Sequence, residues 1–286
     1  MSRRSSREWG TPAAPGPAAV DVLIPTAGRI AELAVTLAGL AGQDEPGFRV
    51  IVSDQSEDEA SAHPAVQAMA RVLRAQGREI VFLRHLPRRG MAEQRHFLLS
   101  RAMAESVLFL DDDVWLEPGQ LERMWDALQT LGCGFVGAGL IGPSFAEDRR
   151  PHEQPFEPWP GGRVQPENVV PESTGWDRYR LHNAANLHHL RERLEAETGE
   201  RPADTLYKVA WVGGCVLYDT AKLRETGGFS FWRELPERHA GEDVLAQLRL
   251  MRRYGGAGLF PSGAYHLELP TTIPDREVDA PRFLGA

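Results

Sequence analysis

Between residues 20 and 129 short apolar runs alternate with stretches whose apolar residues recur at helical spacing, and that alternation is the strongest constraint on the fold. "VDVLI" (20–24), "RVIVSD" (49–54), "EIVFLR" (79–84) and "SVLFLD" (106–111) predict strands. After the first comes Ile30, Leu33, Ala34, Leu37 and Ala41 on one helical face; after the second, Val66, Met69, Ala70 and Leu73 behind Pro64, a residue suited to a first helical turn. Further helices are predicted over 91–104, with Leu98, Leu99 and Ala102 inward, and near 118–129, with Leu121, Met124, Trp125 and Leu128 on a common face. Strands separated by helices imply right-handed crossovers, hence an α/β fold with a mostly parallel central sheet flanked by helices.

The pattern loosens after a fifth apolar run, "GFVGAGLI" (134–141). Residues 142–175 are rich in Pro, Gly and charge, as functional loops are. A helix near 181–197 follows, then a buried strand over "KVAWVGGCVLYD" (208–219), a helix in "GEDVLAQLRLMRRYGG" ended by Gly255, and closing runs "GLF" and "SGAYH". The division expected is an N-terminal arm (1–18), one domain (19–275) and a tail (276–286). Within the domain, 19–141 forms one half and 142–275, with its long loop 142–175, the other.

At 42% hydrophobic and 25% charged, the 286 residues have an ordinary globular composition. A net charge of −8 argues against nucleic acid as the main partner. No apolar stretch is long enough to cross a bilayer, and the start lacks the apolar core of a secretory signal. A cytoplasmic protein, with at most a peripheral visit to a membrane, is the expectation. Cys133 and Cys215 sit in apolar contexts and are expected as buried free thiols.

Ligands of parallel sheets bind beyond the carboxyl ends of the strands. Pro25 and Thr26 end the first strand here, Asp54 the second, and Asp111, Asp112 and Asp113 the fourth. Three adjacent carboxylates repel one another unless a positive charge joins them. An EF-hand loop fails because its fifth and sixth positions would be Trp115 and Leu116. A dehalogenase-type phosphatase motif also fails at Trp115, and neither a P-loop string nor a dinucleotide Gly-rich turn is present. What remains is a divalent cation, Mg²⁺ or Mn²⁺, held against a diphosphate, or else a solvated acidic turn before a helix.

"VDVLIPTAGR", "VIVSDQS", "RRGMAEQRHFLLSRA", "FLDDDV", "VGGCVLYD … GGF" and "GEDVLAQLRL" stand in the order of the motifs of family 2 glycosyltransferases. From about Val20 to about His266 the chain resembles these GT-A-type, nucleotide-sugar-dependent enzymes. The resemblance implies that Pro25 and Thr26 border the base, that Asp54 contacts it, and that Arg95 stands at the motif arginine. It implies Asp111 and Asp112 at the sugar nucleotide, Asp113 and His266 on the metal, and Asp243 as catalytic base of an inverting transfer. Trp211, Gly213, Gly214 and Glu242 fall on the acceptor side. Ser53, Gln55 and His96 depart from the family's usual residues.

Other roles stay open at this level. Asp243 also reads as a helix-start acid, His266 as a satisfied surface or core residue, Arg95 as the partner of a carboxylate, and Trp211 as core. The reaction implied is transfer of a sugar from a nucleoside diphosphate, UDP favoured, to an unidentified acceptor hydroxyl. A retaining transferase, a nucleotidyltransferase and a non-catalytic sugar-nucleotide-binding protein remain alternatives. The 142–175 region is expected as a lid.

Overall fold

The computed structural model describes residues 16–271 and 277–285, so most of the expected arm lies outside the described residues. Strand β1 (Val20–Thr26) pairs in parallel with β2 (Phe48–Asp54) and with β4 (Ser106–Leu110), and β2 with β3 (Ile80–Arg84). The helices between them are α1 (Ile30–Ala41), α2 (Pro64–Ala75) and α3 (Met91–Arg101), and α4 (Gln120–Leu131) follows. The central sheet continues through β9 (Cys215–Asp219), β6 (Phe135–Gly137), β10 (Gly256–Phe260) and β8 (Thr205–Tyr207) in the order β3-β2-β1-β4-β9-β6-β10-β8. Only β9 and β8 run against the rest, so the sheet is mostly parallel, as the alternation predicts.

Strand periodicity divides the core. Val22, Ile24, Val50, Val52, Leu108 and Leu110 face one way and pack with Leu33 and Leu37 of α1, Val66 of α2 and Met124 of α4. Leu23, Ile51, Val107 and Phe109 face the other way, with Leu98 of α3 and with Leu245 and Leu248 of α7 (Glu242–Tyr254). A strand buried on both faces reads as a continuous apolar run. This is why β1, β2 and β4 are visible in the sequence.

Beyond residue 131 the chain departs from its sequence reading in three places. The run 134–141 splits into β6 and the two-residue β7 (Leu140–Ile141). The helix near 181–197 becomes a 3-10 turn (Trp176–His182) followed by α5 (Asn186–Thr198). The strand expected over 208–219 begins only at Cys215, because the Gln247 amide takes the place of a neighbouring strand at Val212. Gln247 accepts from the Val212 N–H and donates to its carbonyl, both at 2.8 Å. Gly214 then turns the chain at φ 72°, where a Cβ would lie 2.6 Å from Leu140.

A second sheet of three short strands, β5 (Val114–Leu116), β11 (Ala264–His266) and β7, escaped sequence reading. So did α6 (Thr220–Glu225). Residues 142–175 contain 3-10 turns at 143–145, 151–153 and 160–162. They are tied down by the half-buried Arg178–Glu157 and Arg178–Glu167 pairs and by Trp159 N–H donating to Leu206. The stretch read as a tail folds back as α8 (Ala280–Leu284) against α7, with Ala280 fully buried and Pro281 in the first turn. Cys133 and Cys215 are free and buried, and burial raises both thiols, to about 11 and about 12.

Candidate active site

A cavity of about 610 Å³ opens at the carboxyl end of β1 and β4. Its floor carries Pro25 and Thr26 from β1 and Asp111, Asp112 and Asp113 beyond β4, as their strand-end positions predict. Asp111 N–H donates to the Gly214 carbonyl at 2.8 Å, which fixes the start of the triplet against the turn before β9. Thr26 Oγ1 donates to Asp112 at 2.7 Å, and Thr36 Oγ1 to the Asp112 carbonyl at 2.8 Å. Asp112 is therefore a braced residue, and its burial pushes its carboxyl up to about 7 in spite of the bond from Thr26.

Asp113 meets His266 through the small sheet. Val114 pairs with His266 across β5 and β11, and Leu267 N–H donates to the Asp113 carbonyl at 2.9 Å. His266 Nε2 consequently stands 3.3 Å from Asp113 Oδ2. Bonding to Asp113 raises the His266 imidazole, and Asp113 is held below the ordinary carboxylate value by His266 and Arg29 although burial opposes it. The Arg29 guanidinium donates to Asp113, lies 3.4 Å from Asp112 Oδ1, and donates to the Pro270 carbonyl at 2.6 Å.

Across the cavity Gly241, at φ 76°, starts α7 and presents Glu242 and Asp243. A Cβ on Gly241 would come within 2.6 Å of Asp279 Oδ1, so the turn needs glycine on two counts. Buried Arg95 connects the two ends: Nε donates to Glu242 and Nη2 to Asp111, each at 3.0 Å. Burial alone would lower its pKa, but Asp111, Glu242 and Asp243 raise it and keep it charged. Burial and the neighbouring Glu242 push the Asp243 carboxyl up to about 7.

Trp211, Gly213 and Gly214 also line the cavity. Tyr179 stacks on Trp211 at 5.1 Å between ring centroids, and Trp176 tilts against it at 4.5 Å. No residue of 142–175 lines the cavity. Leu269, Thr271 and Asp279 do so. Asp54 also stays out of the cavity. Its two oxygens accept from Ser56 N–H at 2.8 Å and Ala60 N–H at 2.7 Å, closing the turn after β2.

Arg29, Gln94 and Asp279 line the cavity without having been singled out in the sequence. Arg29 carried a signal, since "PTAGR" places it directly past the end of β1. Asp279 carried none, because its approach depends on the bridge between Ala240 and the chain's last segment.

Among the described residues no three acidic, histidine or cysteine side chains converge closely enough to hold a metal alone. The donor set still fits a divalent cation of the kind that completes its shell with phosphate oxygens and water. Asp113 and His266 supply two donors, and the charge Asp113 now faces is already a cation, Arg29.

The profile described as Glycosyl transferase family 2 matches residues 21–190. The chain belongs to that family. Its fold is similar to that of S. aureus TarS 1-349 in complex with UDP-GlcNAc, at 18% identity over 89% of this chain and 60% of that one, with a TM-score of 0.52. It is also similar to the mannosyltransferase PcManGT from Pyrobaculum calidifontis in complex with GDP-Man and Mn2+, at 16% identity over 93% and 63%, with a TM-score of 0.55. At these identities the likeness is one of fold, and this family 2 chain spans about three-fifths of the length of those structures. The shared architecture is of the GT-A type, with a mostly parallel sheet between helices. Comparison with curated proteins returns no match.

Proposed function

We propose that this family 2 chain transfers a sugar from a nucleoside diphosphate to an acceptor hydroxyl with inversion at the anomeric carbon, Asp243 acting as the general base. One observation carries the reading. A single cavity joins the acidic triplet after β4 to Asp243 at the start of α7, and the latter carboxyl titrates at about 7. A base in that range has lost its proton near neutral pH and is still basic enough to accept one as the new bond forms.

Each remaining group has a role that follows from its partners. Thr26 and the braced Asp112 shape the donor end. Arg95 holds Glu242 and Asp111 in place, and its positive charge keeps Asp243 from rising further. Trp211 offers the acceptor an apolar face beside Gly213, where a Cβ would meet only open space. Asp113 and His266 are the residues that would hold Mg²⁺ or Mn²⁺. When bound, that ion offsets the charge developing on the departing diphosphate. Asp54 orders the turn after β2, and each of its oxygens keeps a further lone pair with which to accept from the base. The fold neighbours were solved with UDP-GlcNAc and with GDP-Man, so either base is a reasonable donor partner to try.

Thermal stabilisation by UDP, GDP and dTDP, each with and without Mn²⁺, tests the donor site. The reading expects one diphosphate to stabilise in a metal-dependent way and Asp113→Ala to abolish the response. No response to any of the three would sink it.

A further inference from the structure

None of the steps proposed above uses Arg29, although among the described residues it is the cation closest to the acidic triplet. It occupies the N-cap position of α1, and Leu33 N–H donates to its carbonyl at 3.0 Å, so its backbone is fixed by the helix. Its side chain reaches the carboxylate of Asp113 on one prong and the carbonyl of Pro270 on the other. Leu269 and Thr271, on either side of Pro270, line the cavity. One guanidinium therefore clasps the metal-facing carboxylate to the cavity wall across 241 residues of sequence.

A divalent cation on Asp113 would meet the positive charge of this guanidinium at the same carboxylate, and the two repel. Guanidinium does not give up its proton in proteins, so the conflict cannot be settled by neutralisation. It has to move. The incoming donor brings two phosphates to the same corner, and the planar fork of arginine fits phosphate oxygens as well as it fits a carboxylate. The side chain is only 17% exposed, which strengthens its interaction with whichever anion is present.

We propose that Arg29 is an exchangeable counter-cation: it occupies Asp113 while the donor is absent, yields it to the divalent ion, and then donates to the diphosphate, releasing Pro270 as it moves. This rests on the metal-dependent donor site proposed above. The exchange makes a prediction of opposite sign for two ligands, which a static brace does not. Removing Arg29 uncovers Asp113 for the ion and at the same time takes a hydrogen-bond donor from the phosphates.

Calorimetric titration of Mn²⁺ alone, and of UDP and GDP at saturating Mn²⁺, separates these cases in wild type, Arg29→Ala and Arg29→Lys. Arg29→Ala is expected to bind Mn²⁺ alone about tenfold tighter and the preferred diphosphate about tenfold weaker. Arg29→Lys keeps the charge without the fork, and it is expected to move both affinities in the same directions by less. It also serves if the alanine variant does not fold. Diphosphate binding that requires Asp113 but is indifferent to Arg29, or affinities for metal and diphosphate that fall together, would overturn the exchange alone. Failure of wild type to bind Mn²⁺ and both diphosphates would overturn the donor site and the exchange with it.

Discussion

The two halves of the molecule satisfy their backbones in different ways. From residue 20 to residue 131, strands pair with strands and helices close on themselves, so the site residues Thr26 and Asp111 to Asp113 ride on the ends of regular elements. Side chains also satisfy backbone groups there, as Thr36 does for Asp112 and Gln94 for Ser53, but beyond residue 141 they hold segments that belong to no regular strand. Gln247 pairs with both backbone groups of Val212, and the Asn186 amide donates to the Arg180 carbonyl at 2.8 Å. His239 accepts from the Ala92 N–H at 3.1 Å and so ties the turn before α7 to the start of α3. The end built on the parallel strands thus faces one whose shape depends on a few polar contacts between distant segments.

That contrast can be broken first at the residue that spans it. Arg95→Leu leaves Glu242 buried without its cation and Asp111 without its partner, and a cost of about 3 kcal/mol in urea unfolding is expected. Two buried glutamines then weigh one half against the other. Gln247→Leu strands the N–H of fully buried Val212 and is expected to cost about 2 kcal/mol. Gln94→Leu, in the donor half, removes bonds to carbonyls that regular strands already present, and about 1 kcal/mol is expected in the same assay. Equal costs would erase the distinction between the halves.

Asp243 sharpens it in the opposite direction. Its folded carboxyl keeps its proton to about pH 7, whereas the ordinary value is 3.8. Between those values the folded state binds more protons than the unfolded state, so this group's contribution to stability falls as pH rises from about 4 to 7. Asp243→Asn removes the loss, and its melting temperature is expected to exceed that of wild type by about 2–4 °C at pH 8, with no gain at pH 4. The smallest effect belongs to the exposed helix pair Arg193–Glu197, where Arg193→Ala should change stability by less than about 0.5 kcal/mol.

The same contrast explains what could be read from the sequence. β1, β2 and β4 are buried on both faces and announce themselves as apolar runs, so Thr26 and the triplet could be placed at strand ends without a structure. The nearness of His266 to Asp113 could not be read from the residues' own pattern, since it hangs on three-residue strands that have no periodicity to show. The strand expected through 208–214 was misread for a related reason. Its apolar composition is that of a strand, but its hydrogen-bond partner is a side chain 35 positions away. Asp54 shows a further limit: its place at a strand end could be read, but not that its carboxylate accepts from the Ser56 and Ala60 N–H groups of its own turn.

The meeting of the halves in one reaction is tested most directly with water as the acceptor. Release of the nucleoside diphosphate from UDP-GlcNAc and from GDP-mannose, in Mn²⁺ and across pH 5 to 9, should be followed in wild type and Asp243→Asn. Slow hydrolysis of one donor is expected, rising through about pH 7 in wild type. Asp243→Asn should lower the rate by about 10²-fold or more and flatten the pH profile, while diphosphate binding stays unchanged. Hydrolysis by the variant at the wild-type rate with the same pH dependence would contradict the account.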